Sequence, residues 1–252
     1  MRLLLSAVLV ICFGLAVIVG YVSTPSFAPA AKPAFAPSAT PLPPQSPTSV
    51  YAVTVKLPAV SKAGQGALAD FTASAVSGGG KLFLRFDEGS PLTNPDTQYS
   101  LRNAFDVARR IAGSSASGYD VYFIFSADSD VVGGQSAGAA MAIATLSALT
   151  RTPLKEGVLI TGSLNADGSI GRVGKVLAKA HAARAAGYST LLVPEGESLE
   201  MKEVQKCRSE VVDGTAYQTC TSDAVEVDVG SETGMEVIEV SDVRQAFDIM
   251  RV

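Results

Sequence analysis

The sequence predicts a single mixed α+β domain, α/β-like in its second half, set behind an N-terminal membrane segment and a linker. Three observations predict it. Apolar residues recur at strand spacing in several short runs and at helix spacing in others. From residue 157 onward the two kinds of run alternate, as in folds that pack helices on a partly parallel sheet. Residues 3–22 carry no charge, whereas residues 24–49 are dominated by Pro, Ala and Ser.

The N-terminal stretch LLLSAVLVICFGLAVIVGYV has the length of a bilayer-spanning helix, about 20 residues. A secretory leader has a shorter apolar core. The one cleavage-like triplet, residues 26–28, is followed by Pro29, which hinders cleavage. Residues 1–23 are therefore expected to be a single-pass anchor. Arg2 is the only early side-chain charge, so the positive-inside rule keeps the N-terminus in the cytoplasm and puts the domain outside it. Residues 24–49 cannot bury enough apolar surface to fold, and their prolines favour an extended spacer. The folded domain is expected at 50–252.

Within it, YAVTVKL at 51–57, ALADFTASAV at 67–76 and KLFLRF at 81–86 read as strands. Residues 100–112 place Leu101, Ala104, Phe105, Ala108 and Ile111 on one helical face. YDVYFIF at 119–125 is nearly all apolar, which predicts a central strand. Residues 136–149 leave no polar face and predict a buried helix. A strand follows at 157–162, and an Asp-Gly turn then predicts a hairpin across 163–174. A helix is predicted over 175–187, stopped by Gly187, and a strand over 189–194. Residues 195–234 read as a short helix followed by irregular chain. A last strand is expected at 235–240, and Ser241 is placed to cap a final helix.

Composition narrows the function. The net charge is -4 and the basic residues are scattered, so nothing resembles a nucleic-acid footprint. No cofactor motif is present. Cys207 and Cys220 lack a neighbouring histidine and make a poor metal site; outside the cytoplasm they could form a disulfide.

Chemistry concentrates at Ser136, which lies in GGQSAGAAM. A serine hydroxyl is a weak nucleophile and needs a base. The chain has one histidine, His181, in an alanine-rich helix with nothing around it to orient an imidazole. A lysine can serve instead if burial keeps its amine neutral. Lys179 has small apolar neighbours, and the nearest acidic residues in sequence are Asp167 and Glu195. Lys175 lies one turn earlier on the same face, and its charge would also disfavour protonation of Lys179 if the two approach. On chemistry alone, either lysine could be the base.

The segment from Gly133 to Glu197 resembles the proteolytic domain of the Lon protease family. Gly134 to Gly138 match its Gly-x-Ser-Ala-Gly segment, Thr161–Gly162 its Thr-Gly, and Gly168, Gly171 and Gly174 its glycine-rich hairpin. Lys179, 43 positions after Ser136, falls where the family has its catalytic lysine, and Pro153 falls at a common proline. The resemblance implies a Lon-like fold and a serine endopeptidase. Ser136 would be the nucleophile and Lys179 the general base, with Thr161 orienting the amine. Backbone amides near Ser136 would hold the oxyanion, and Gly134 and Gly138 would let a substrate strand approach. It also implies an extended or unfolded polypeptide as substrate, and assembly into a homo-oligomer, a hexamer in the family.

Three departures qualify the likeness. No G-x-x-x-x-G-K-[ST] segment occurs, so any activity is expected to be ATP-independent unless a partner supplies the motor. Gly133 stands where many members carry an acidic residue, with Asp128 and Asp130 nearby as substitutes or as plain solvated acids. Ser163 replaces the glutamate of Thr-Gly-Glu, and residues 200–234 look like an acidic insertion that covers the site or binds a partner. A second reading is a non-catalytic Lon-like binding or assembly module at the membrane, and a third is an esterase or amidase using the same dyad.

Overall fold

The computed structural model describes residues 50–252, apart from 88–89, 128–130 and 133. The expected anchor at 3–22 and the linker lie outside the described residues, as do Asp128, Asp130 and Gly133. Among the described residues no helix is long and apolar enough to cross a membrane.

A four-stranded sheet opens the domain. β1 (Tyr51–Val60), β2 (Gly66–Ser77) and β5 (Tyr119–Ser126) are antiparallel neighbours, and β3 (Leu82–Leu84) adds parallel to β5. β5 is thus internal, as its apolar run predicts. Alternation sends Ala69, Phe71, Ala73 and Ala75 of β2, with Val121, Phe123 and Phe125 of β5, into the core. There the Phe71 ring centroid lies 5.0 Å from that of Phe123 and 5.1 Å from that of Phe125. Truncating one such ring to alanine costs about 3–5 kcal/mol.

Two helices share the core with this sheet, the second packed on the sheet and the first packed on the second. α1 (Pro95–Ala112) starts five residues before the apolar stripe predicts, because Asn94 caps it by accepting from the Thr97 amide and Pro95 follows at the first helical position. α2 (Gly138–Thr150) is buried at every position from Gly138 to Leu149, which its lack of a polar face predicts. β4 (Leu92–Thr93), just before α1, pairs in parallel with β6 (Val131–Val132), which lies between the two helices in sequence.

The second half is α/β. β7 (Val158–Ile160), β10 (Thr190–Pro194) and β13 (Glu236–Val240) form a parallel sheet with β10 in the middle. Both faces are covered. Ile160, Leu192 and Val240 join the first core; Leu159, Leu191 and Val193 join a second core with Val176, Ala180 and Ala183 of α3 (Val176–Ala185). The predicted hairpin is β8 (Ser163–Leu164) against β9 (Ile170–Gly171).

Two expectations fail. Residues 199–228 are not irregular; they form a long antiparallel hairpin, β11 (Leu199–Val212) with β12 (Thr215–Asp228), followed by the short α4 (Val229–Thr233). The hairpin is exposed over most of its length, so it has no apolar face to reveal its period. Its readable signal was Asp213-Gly214, whose φ angles of 51° and 77° suit a two-residue hairpin turn. Cys207 and Cys220 face each other across it, joined as a disulfide. The last helix, α5 (Val243–Met250), is capped by Asp242 rather than Ser241: the Asp242 carboxylate accepts from the Arg244 and Gln245 amides.

Candidate active site

Ser136 lies two residues before α2, half-buried. The N-cap of that helix is Ala137 and no side chain caps it, so the Ser136 hydroxyl is not consumed in capping. The serine backbone is pinned to the end of β7. The Ser136 carbonyl accepts from the Gly162 amide at 3.0 Å, and the Gly162 carbonyl accepts from the Ala139 amide at 3.1 Å. The extension of β7 is held in turn by the Thr161 amide donating to the Leu192 carbonyl of β10.

The glycines around the serine have separate reasons. Gly134 has φ 104°, where a side chain is strained. Gly138 is crowded by the protein itself: a Cβ there would lie 2.8 Å from the Leu164 Cβ and 3.0 Å from the Leu164 amide nitrogen. The close approach expected at Gly138 is made by hairpin β8–β9.

Lys179 projects from the first half of α3 into the protein and is 2% exposed. Its Nζ donates to Thr161 Oγ1 at 3.1 Å. The Thr161 hydroxyl donates to the Ser136 carbonyl at 3.3 Å. Thr161 is fully buried and links the lysine to the serine backbone. Its single proton is committed to that carbonyl, so the amine must be the donor in the other bond. A neutral amine so placed keeps its lone pair free.

Burial lowers the Lys179 pKa from 10.5 to about 8, and the negative charges of Glu197 and Glu200 oppose the shift. This corrects two expectations. Carboxylates do stand near Lys179: Glu197 follows β10 and Glu200 belongs to β11, close in space though distant in sequence. Lys175 is not the charge acting on the amine; it is exposed, in the left-handed conformation with φ 61°, at the start of α3. His181 is exposed on α3.

Sequence reasoning missed both glutamates. Glu197 is 6% exposed, accepts from the Val173 amide at 3.1 and 3.0 Å and pairs with Arg172 at 3.2 Å. Glu200 Oε2 accepts from the Leu177 amide at 2.6 Å. Neither contact has a local signal, since the partners lie 24 and 23 residues earlier. Among the described residues no cluster of His, Cys, Asp and Glu could hold a metal ion.

Residues 118–236 match the Lon protease (S16) C-terminal proteolytic domain. The Lon protease of Geobacter metallireducens is 35% identical over 96 residues, covering 38% of this chain and 12% of that protein. An archaeal Lon protease from Methanothermobacter thermautotrophicus is 35% identical over 95 residues, 38% of this chain and 15% of that protein. The Lon protease of Buchnera aphidicola is 30% identical over 147 residues, 56% of this chain and 18% of that protein. The chain thus spans less than a fifth of the length of these relatives.

Proposed function

We propose, from the match of residues 118–236 to the Lon protease (S16) C-terminal proteolytic domain, that the chain is a Lon-like serine endopeptidase working by a Ser136–Lys179 dyad. One observation carries the reading: a buried lysine amine is hydrogen-bonded to Thr161, whose hydroxyl is in turn bonded to the Ser136 backbone.

The chemistry follows from that arrangement. The neutral Lys179 amine takes the Ser136 hydroxyl proton as Oγ attacks the scissile carbonyl carbon. Carbonyl electrons move onto oxygen to give a tetrahedral oxyanion. The Gly138 and Ala139 amides already donate to the Gln135 and Gly162 carbonyls. We assign the oxyanion to backbone amides near Ser136, beside the positive end of the α2 dipole. The intermediate collapses, the Lys179 ammonium protonates the leaving amine, and an acyl-serine remains. Water then attacks the ester, Lys179 takes one of its protons, and the ammonium returns a proton to Ser136 Oγ as the acid product leaves.

The substrate we propose is extended or unfolded polypeptide, cut without ATP, since no phosphate-binding G-x-x-x-x-G-K-[ST] segment occurs in these 252 residues. The charge-free segment 3–22 supports a single-pass membrane anchor with the domain outside the cytoplasm.

Purified full-length protein is expected to cleave casein, and Ser136→Ala and Lys179→Ala to abolish cleavage. Activity should rise with pH through about 8, as the amine loses its proton. Cleavage surviving either substitution, or an optimum below about pH 6, where the amine is protonated, would eliminate the dyad.

A further inference from the structure

We propose that Glu200, at the base of hairpin β11–β12, is a positioning residue for Lys179: its carboxylate holds the first turn of α3 in place and sets negative charge beside the lysine amine. The inference rests on reading Lys179 as the general base and adds to it a control supplied by the segment expected to be an insertion.

The start of α3 lacks a cap of its own. Its N-cap residue is Lys175, in the left-handed conformation, and makes no side-chain cap bond. First-turn amides are left without helical partners and need acceptors from elsewhere. The Leu177 amide finds one in Glu200, 23 residues away in sequence and 2.6 Å away in space. Leu177 lies two residues before Lys179. On the other side of Lys175, both Glu197 oxygens accept from the Val173 amide. Residues 197–200 therefore grip the chain on both sides of the strained position that launches the helix.

Glu200 is itself fixed by its hairpin. It pairs with Val227 in the ladder, and next to it the Val229 amide donates to the Ser198 carbonyl at 2.9 Å. Lys202 forms an ion pair with Glu232 of α4. A cavity of about 380 Å³ separates this base from the loop before α3, lined by Arg172, Lys175, Glu200, Met201 and Glu226 among others. The side chain of Glu200 is only partly buried. The charged groups around the amine are thus Glu197 from the loop and Glu200 from the hairpin, with Arg172, Lys175 and Glu226 lining the adjoining cavity. Glu197 and Glu200 act on Lys179 through their charge and favour its ammonium form, while burial disfavours it.

The position is sensitive because a displacement of about 1 Å at a reacting group can cost on the order of a hundredfold in rate. Charge and acceptor can be separated. Glu200→Gln keeps an oxygen for the Leu177 amide and loses the charge. Glu200→Ala loses both.

Rates of casein cleavage by the full chain are measured against pH for the original protein, Glu200→Gln, Glu200→Ala and the exposed hairpin control Glu210→Gln. With Glu200→Gln the midpoint moves to lower pH, because the ammonium has lost a favourable neighbour. Activity one pH unit below the original midpoint, relative to the plateau, then rises roughly two- to threefold, with the plateau within about twofold of the original. With Glu200→Ala the plateau falls about tenfold. Glu210→Gln behaves like the original protein. Unshifted midpoints in both Glu200 variants, with intact plateaus, overturn the proposal while leaving the dyad standing. If the chain cleaves nothing, or cleaves without Ser136, the dyad fails instead. The role of Glu200 is then decided by carbon-13 NMR of labelled lysines in the full chain in detergent. The signal missing from Lys179→Met identifies Lys179, and its titration moves to lower pH in Glu200→Gln if the proposal holds and stays put if it does not.

Discussion

Thr161 occupies the position where one hydroxyl must serve two partners. It accepts from the Lys179 amine and donates to the Ser136 carbonyl, so it fixes both the direction of the amine and the seat of the serine. Valine has nearly the same shape and can do neither. Thr161→Val should leave the buried amine short of a partner and the Ser136 carbonyl with the Gly162 amide alone, at a cost of about 1–3 kcal/mol in stability. Casein cleavage should fall by roughly ten- to a hundredfold, the rate equivalent of such energies. Thr161→Ser keeps the hydroxyl and should recover most of the activity. Urea unfolding together with cleavage rates checks this; a Thr161→Val enzyme as active as the original would remove the orienting role.

Elements were legible where one face or every face is buried. Phe71 and its alternating neighbours announce β2, and the unbroken run from Gly138 to Leu149 announces α2, because burial dictates their composition. The candidate residues Ser136, Thr161 and Lys179 stand out through their motifs. Glu197 and Glu200 do not, since they reach Lys179 only through the chain reversal after β10. Hairpin β11–β12 was missed for the opposite reason to α2: solvent on both faces erases the two-residue period. Such an element depends on its own ladder, its two-residue turn and the Cys207–Cys220 link. Replacing both cysteines by serine releases a short closed loop, and such cross-links contribute about 3 kcal/mol. The loss should stay local. Amide hydrogen exchange across 208–219 should accelerate by more than about tenfold, while amides of α2 keep their protection. Equal acceleration in both would show that the hairpin unfolds together with the core.

At the scale of the whole molecule, the same burial that would ready Lys179 for the proposed catalysis weakens the fold. Its pKa falls from 10.5 to about 8. Between those two values the unfolded chain binds a proton that the folded chain does not. Stability therefore rises with pH across that window, and below about pH 8 the folded protein carries the full cost of a buried ammonium. At about 1.4 kcal/mol per pH unit, that cost is on the order of 3 kcal/mol. Methionine fills nearly the volume of the lysine stem without the charge. Lys179→Met should therefore unfold at higher denaturant than the original at pH 7, by up to about 3 kcal/mol, while losing all cleavage. The advantage should shrink steadily as pH is raised from about 8 toward 10.5, because the original protein then holds a neutral amine. Chemical denaturation of both proteins at pH 7, 9 and 10 measures it. A stability difference that stays constant over that range would mean that the lysine is not forced to give up its proton on folding, and that the nucleophile must be activated in some other way.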